Sequence, residues 1–150
     1  MTKIYPLSVI AVLAMIVLAI VLSGGVVGVF VSFPSVIMVF GITIALTLAS
    51  HRPSEIRTAF VAAHASTNPA ELRLAVAFFT ALQRYGLWAG FLSTMLGAIV
   101  LLANLGDASH VGAGAAIALI TVFYAIVFLL VVVLPYRAAA EKRLASTIGR

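Results

Sequence analysis

The sequence predicts an all-α membrane protein with four transmembrane helices in one domain over residues 1–150. Hydrophobic residues make up 64% of the chain and charged residues only 9%, whereas globular domains have about 45–50% and about 25%. The mean hydropathy is +1.25. Residues 4–50, 85–106 and 108–136 contain no Asp, Glu, Lys or Arg. A helical span needs about 20 apolar residues, so the first run holds two spans and each of the others holds one.

The first span is predicted over about residues 5–22, and it ends at Ser23-Gly24-Gly25, where glycine suits a turn. A cleaved signal peptide is the rival interpretation, because Lys3 precedes an apolar stretch. The residues after 22 form a poor cleavage site and the apolar character resumes at once. These two features favour a retained span.

The second span is predicted over about residues 34–50, with Pro34 in its first turn, where a missing N–H costs nothing. Residues 51–84 are expected to form a cytoplasmic helical segment. Pro53 and Glu55 have the pattern of a helix start, because an acidic side chain is favourable near the positive end of the helix dipole.

The third and fourth helices are predicted to be long and to extend into the cytoplasm. Asn68-Pro69-Ala70-Glu71 has Asn at N-cap, Pro at N1 and Glu at N3. One helix is therefore expected to begin there, cross the membrane over residues 85–104 and end near Asn104. The fourth span is predicted over residues 112–136, after the glycine-rich stretch 111–114, and to continue to about Ser146. Pro135 should kink it at the cytoplasmic boundary.

The basic residues predict the topology. They are Lys3, Arg52, Arg57, Arg73, Arg84, Arg137, Lys142, Arg143 and Arg150, and all fall on one side of a four-span arrangement. The positive-inside rule makes that side cytoplasmic, together with both termini. The net charge of +5 is thus explained by the topology, and it favours contact between the basic side and anionic lipid headgroups. The dispersed charges argue against a nucleic-acid partner.

The residues that carry chemistry argue against an enzyme and against a cofactor. The chain has no cysteine, its three histidines are scattered, and it has no nucleophile–base pair or phosphate loop. We therefore expect no metal site. His51 and Glu55 are expected to be a solvated pair at the membrane surface, and Asp107 and His110 to be surface residues of a short outer loop.

The predicted spans carry hydroxyl groups but no carboxylate or lysine. Proton relays in membranes usually need an ionisable side chain. Alone, this chain has no group that can take up and release a proton in mid-membrane, so any conduction requires an ionisable group from another chain. The hydroxyls are expected to bond back to the i−4 carbonyl.

Small residues follow one face of helix three and one face of helix four. They are Gly86, Gly90, Ser93, Thr94 and Gly97, and Ala115, Ala118, Thr121, Val122 and Ala125. Small residues mark helix interfaces in lipid, and simple helix packing is the plainest interpretation. We expect that both faces cannot be buried within one four-helix monomer, and therefore predict a ring of subunits.

Three segments have the order and spacing of a known membrane family. Residues 28–43 contain an apolar stretch, Pro34-Ser35, then Gly41 and Thr43, and Pro53-Ser54-Glu55 follows just after that span. Residues 90–135 run from a Gly-Thr-Gly pattern through an Asn-Leu-Gly-Asp loop to Leu134-Pro135. Together they resemble the MotA/TolQ/ExbB proton-channel family, and MotA most closely, over residues 5–57 and 86–145.

The resemblance implies a pentamer in the bacterial inner membrane, with a central channel lined by helices three and four. A single-span MotB/TolR/ExbD-type partner would thread the channel and bring a membrane Asp. The implied lining residues are Gly90, Thr94, Gly97, Ala118, Thr121, Val122 and Ala125. Thr94 matches the family's span-three threonine. Pro53, Glu55 and Pro135 would mark the cytoplasmic boundary.

Three departures keep a second function open. The segment between spans two and three is short where MotA has a large cytoplasmic domain, Leu87 stands where MotA proteins have Pro, and Val122 aligns with the family's span-four threonine. The alternatives are a channel subunit of an ion-driven motor or energy-transducing complex, and a non-conducting scaffold whose pore is filled by lipid or a foreign helix. The residues leave open the ion, proton or sodium, and the process driven.

Overall fold

The computed structural model describes residues 5–106 and 108–149, and within them the chain is helical without a strand. Lys3, Asp107 and Arg150, and the side chain of His110, lie outside the described part. The helices are α1 (Tyr5–Leu22), α2 (Phe33–Val36), α3 (Ile42–Ser50), α4 (Pro53–Ala65), α5 (Pro69–Ala103), α6 (Ala108–Phe128) and α7 (Leu134–Ile148). Two π-helical segments, Ile37–Gly41 and Leu129–Val133, join α2 to α3 and α6 to α7, and Val27–Phe30 is a 3₁₀ turn.

Three helical stretches are long and apolar enough to cross a membrane by length and composition: Val27–Ser50, Pro69–Ala103 and Val111–Ile148. The apolar helix Leu7–Leu22 is shorter. The fold is therefore that of a multi-pass, all-helical membrane protein.

Most of the predicted helix ends are confirmed. Gly24 follows α1 with φ of +72°, a left-handed conformation that glycine adopts without steric cost. The Arg52 N–H donates to the Glu55 carboxylate at 3.1 Å where α4 begins. The Asn68 side chain accepts a hydrogen bond from the Ala70 N–H at 3.0 Å, and α5 then runs 35 residues to Ala103.

The expected start of the last helix is wrong. It begins at Ala108, so the glycine-rich stretch lies inside the helix and does not precede it. A Cβ on Gly114 would lie 2.9 Å from the Cα of Leu101, so this glycine serves close helix packing. The irregularity attributed to Pro135 is a π-helical segment just before it. Proline lacks an N–H and its ring crowds the carbonyl four residues earlier, that of Val131, which accepts a hydrogen bond from the Tyr5 hydroxyl at 2.8 Å.

The hydrophobic core lies where α4, the first half of α5 and α7 meet, a region termed here the basal bundle. Its buried residues are Ala59, Ala62, Ala63, Ala75, Phe78, Phe79, Leu82, Leu129, Val133 and Ala140. The ring of Phe60 packs edge-on against Phe79 and Tyr136, with centroids 5.2 and 5.1 Å away. The alanines of α4 let its backbone come close to this aromatic cluster, so α4 is packed and not a loose linker.

Two arginines of α7 tie the basal bundle together. The Arg137 guanidinium donates to the Gln83 side-chain oxygen at 2.8 Å and forms an ion pair with Glu141 at 2.8 Å. The Arg143 guanidinium donates to the His64 carbonyl at 2.6 Å, which satisfies a backbone acceptor in the last turn of α4. The exposed ion pair contributes little, about 0–1 kcal/mol, so these contacts mainly set orientation.

Tyr124 of α6 holds the chain just before α2. Its hydroxyl donates to the Phe30 carbonyl and accepts from the Ser32 N–H, the latter at 3.1 Å. Phe30 ends the 3₁₀ turn and Ser32 precedes α2, so both backbone groups lie outside the α-helices. The tyrosine supplies partners that water cannot supply within a membrane.

We expect Tyr124→Phe to lower the free energy of unfolding by about 1–3 kcal/mol, because two half-buried backbone groups lose their partner. Hydrogen–deuterium exchange should show faster exchange at the Ser32 amide. Tyr85→Phe is the control, because the Tyr85 hydroxyl donates to Ser50 at an exposed position. Equal exchange rates at the Ser32 amide in wild type and Tyr124→Phe would contradict a stabilising hydrogen bond from that amide to the Tyr124 hydroxyl.

Candidate functional site

The α5–α6 hairpin has a seam at which the two backbones nearly touch. A Cβ on Gly90 would lie 2.6 Å from the Cβ of Ala125, and one on Gly97 would lie 2.8 Å from the Cα of Ala118. Real Cβ atoms are essentially never this close to other heavy atoms. Residue numbers increase along α5 from Gly90 to Gly97 while those of their partners on α6 decrease from Ala125 to Ala118, so the two helices are antiparallel. Only glycine permits this approach.

The expectation that both small faces could not be buried within one monomer is wrong. Gly90, Gly97, Thr121 and Ala125 are all buried in the single chain. The faces are complementary, because glycines of α5 receive alanines of α6 across the antiparallel seam. Burial of small residues therefore supplies no reason for a ring, and the simple packing interpretation accounts for it.

Two hydroxyls meet at the middle of the seam. The Oγ1 atoms of Thr94 and Thr121 lie 3.4 Å apart. The Thr94 hydroxyl donates to the Gly90 carbonyl at 2.8 Å and the Thr121 hydroxyl to the Ala118 carbonyl at 2.7 Å. Back-bonding to the i−4 carbonyl is confirmed for Thr94, and it also holds for Thr43 and Ser93. Each threonine oxygen keeps an acceptor site free for another donor.

Thr94 and Val122 lie on one side of the hairpin, which is termed here the open side. On α5 the residues three and four positions apart from Thr94 share its face, and on α6 the same holds for Val122. Around its own helix axis, Thr94 is turned away from the seam by about the same angle and in the same sense as Val122. Because the two helices run antiparallel, both residues and their face neighbours then lie on the same side of the hairpin. The open side consists of Leu87, Phe91, Thr94 and Ala98, and of Ala115, Leu119, Val122 and Ile126.

Part of the opposite side of the hairpin is covered by the second apolar stretch. Tyr124 bonds to the chain before α2, and the ring of Phe128 packs edge-on against Phe40 at 5.4 Å. On the open side, by contrast, Val122 is 36% exposed although its neighbour Thr121 is 1% exposed. Thr94 is half-buried, so its hydroxyl lies at the boundary between the seam and the open side.

The predicted lining residues therefore separate into two groups. Gly90, Gly97, Thr121 and Ala125 lie inside the subunit, where they hold the helices together. Thr94 and Ala118 are half-buried at its edge and Val122 is exposed. A guest helix on the open side would meet Thr94 and Val122 among bulky apolar neighbours, and Thr94 is the polar residue among the eight.

The boundary residues lie at helix starts. Pro53 and Glu55 begin α4, and Pro135 lies in the first turn of α7. The expected solvated pair of His51 and Glu55 is not found. The Nδ1 atom of His51 is buried without a hydrogen-bond partner among the described residues, its ring packs edge-on against Phe78 at 5.2 Å, and Glu55 caps α4 instead.

Sequence reasoning missed the tyrosine contacts and the aromatic cluster of the basal bundle. The Tyr5 and Tyr124 hydroxyls both bind backbone carbonyls near irregular backbone. A sequence signal for these contacts was present, since each tyrosine lies in an otherwise apolar helix whose partner segment contains proline or glycine.

Within residues 5–106 and 108–149, no three His, Asp or Glu side chains lie together as a metal site would require.

No protein-family model matches the chain, and no curated protein matches it either.

Proposed function

We propose that the chain is a channel-forming subunit of an ion-driven membrane complex, in which a single-span partner supplies the titrating carboxylate. The observation that carries the proposal is the position of Thr94. It is a half-buried threonine in the middle of a long apolar helix, at the edge of the open side, and residues 85–106 and 108–128 of the hairpin contain no Asp, Glu, Lys or Arg.

The proposed topology has four spans, both termini in the cytoplasm and the basal bundle at the cytoplasmic face of a bacterial inner membrane. Helix α1 has 18 residues and is about 27 Å long at 1.5 Å per residue, close to the hydrocarbon thickness of about 30 Å. The basic side chains of the connection between the second and third spans and of α7 then lie on one side, as the positive-inside rule requires.

The proposed assembly is a ring, five subunits by resemblance to the MotA/TolQ/ExbB family, with the open sides facing the axis. Exposed apolar side chains alone do not call for a partner in lipid, because acyl chains cover them. The ring therefore rests on the resemblance and on Thr94, a polar residue at the edge of the open side that would meet a partner carboxyl in the ring.

Thr94 could serve both protonation states of such a carboxyl. A carboxylate can accept a hydrogen bond from the Thr94 hydroxyl in place of the Gly90 carbonyl. A neutral carboxyl can donate a hydrogen bond to the threonine oxygen while the hydroxyl still donates to Gly90. The change of hydrogen-bond acceptor needs only rotation of the Thr94 hydroxyl. The hydroxyl thereby lowers the cost of holding either form in an apolar site.

The test compares Thr94→Val with Thr43→Val in liposomes that contain the chain and its single-span partner. Both threonines are membrane residues that donate to an i−4 carbonyl, and valine keeps the shape of either side chain. We expect Thr94→Val to reduce partner-dependent proton flux at least tenfold with assembly unchanged, and Thr43→Val to leave flux within twofold. Equal flux for all three proteins would overturn the role of Thr94.

The second candidate is a non-conducting scaffold with a lipid-filled or helix-filled pore. Val122 favours it, because only methyl groups face the open side where the family carries a hydroxyl. Val122→Thr separates the two proposals. In a conducting ring the added hydroxyl should maintain or raise flux, whereas a scaffold should show no flux with either residue.

A further inference from the structure

A cavity of about 850 Å³ lies between α1 and the last helix, away from the α5–α6 seam. Its upper walls are aliphatic, with Val9 and Val12 on one side and Leu130 and Val131 on the other. The Tyr5 hydroxyl donates a hydrogen bond to the Val131 carbonyl and so connects α1 to the last helix within the cavity wall. The space is a groove that is open on one side, so a molecule from the surrounding membrane can enter it.

The lower part of the cavity follows one face of α7. Pro135, Ala138, Ala139, Lys142 and Arg143 line it at helical spacing. The proline and alanines keep the groove wide, and the two basic residues lie at its end. None of the described lining residues is acidic. The cavity therefore changes from aliphatic to cationic along its length.

A pair of aromatic rings lies next to the cationic end of the cavity. Tyr5 and Tyr136, whose ring centroids are 5.6 Å apart, are the aromatic pair expected at a membrane interface. Lys142 follows Tyr136 by six positions, or about 9 Å along the helix. A lysine side chain reaches back toward the interface with its ammonium group. Lys142 has no hydrogen bond or ion pair within the described chain, and the hydrogen bond to His64 uses one of the five N–H donors of Arg143.

We propose that this cavity binds one anionic phospholipid, with its phosphate against Lys142 and Arg143 and an acyl chain between α1 and the last helix. From Leu130 to Ser146 the groove extends about 24 Å along the helix, which accommodates a headgroup and most of one acyl chain. The charge complementarity selects an anionic lipid over a zwitterionic one. The site does not depend on whether the chain conducts ions.

The test measures lipid retention by native mass spectrometry of the full chain in mild detergent, with phosphatidylglycerol and phosphatidylcholine of identical acyl chains as probes. Wild type should retain phosphatidylglycerol preferentially. Each neutralised residue should weaken that binding about fivefold and the Lys142→Gln/Arg143→Gln double variant about 25-fold. Arg73→Gln/Arg84→Gln removes the same charge from exposed positions outside the cavity and should change retention less than twofold. Equal losses in both double variants, or equal retention of the two lipids by wild type, would overturn the proposal.

Three further arms identify the occupant. Lys142→Gln alone keeps the contact between Arg143 and His64, so a fivefold loss at unchanged thermal stability separates lipid binding from folding. Ala139→Phe fills the groove and should reduce retention of both lipids; retention as in wild type, with or without a changed oligomeric state, would overturn the lipid as occupant. Inorganic phosphate at millimolar concentration should not displace phosphatidylglycerol, and full displacement would identify a free-anion site instead.

Discussion

Gly97→Ala and Gly114→Ala should each lower the free energy of unfolding by about 1–3 kcal/mol, the cost of overpacking a well-packed contact. The new methyl of Gly97→Ala would meet the Cα, Cβ and backbone N of Ala118 at 2.8 to 2.9 Å, and that of Gly114→Ala would meet Leu101 in the same way. Backbone atoms cannot rotate aside, so the helices must separate and lose contacts along the seam. Unfolding in mild detergent at rising SDS fraction measures the effect.

Gly112→Ala is the matched control, because no atom lies within 4 Å of the position its new methyl would take and it is in the same helix as Gly114. Alanine also favours a helix over glycine by about 0.5–1 kcal/mol, so stability should stay the same or rise. The Gly97→Ala/Gly114→Ala double variant should cost less than the sum, because one separation of the helices accommodates both methyls. Negligible losses in the single variants would contradict the close seam, and additive losses in the double variant would contradict a shared separation of the helices.

Phe79→Ala should have the largest effect outside the seam, about 3–5 kcal/mol of lost stability. Phe79 is fully buried in the basal bundle, with rings of Phe60, Phe78 and Tyr136 around it at centroid distances of 5.1 to 5.5 Å. Removal of the ring leaves a cavity where α4 packs on α5 and α7. Limited proteolysis should therefore cleave near Ser66, between α4 and α5, much faster than in wild type.

Trp88→Ala tests whether this effect is specific to the bundle. Trp88 is a large aromatic residue of the same helix but is 66% exposed, so its removal leaves no internal cavity. We expect a stability change below about 1 kcal/mol and an unchanged cleavage rate. Rapid cleavage in both variants, or in neither, would contradict a packed basal bundle.

Most helix ends were predictable because their causes are local. Asn68 and Pro69 fix the start of α5, and Gly24 ends α1 through its own backbone conformation. The π-helical segments were not predictable in the same way, because no characteristic set of residues marks a turn with i→i+5 hydrogen bonds. Only the segment before Pro135 has a local cause.

The packing partners were less predictable than the elements. Spacing identified the small faces of helices three and four, but a periodic face does not say which surface covers it. Gly97 and Ala118 cover each other, an arrangement that follows from the antiparallel hairpin and not from either helix alone. The basal bundle was missed for the same reason, since Phe79 and Tyr136 are far apart in sequence.

The central claim, that the chain conducts ions only with a carboxylate from another subunit, is tested most directly by proton flux into liposomes that report internal pH. We expect no flux with the chain alone, flux with the single-span partner, and none when the partner's membrane Asp is replaced by Asn. Flux from the chain alone, or undiminished flux with the Asn variant, would contradict the account.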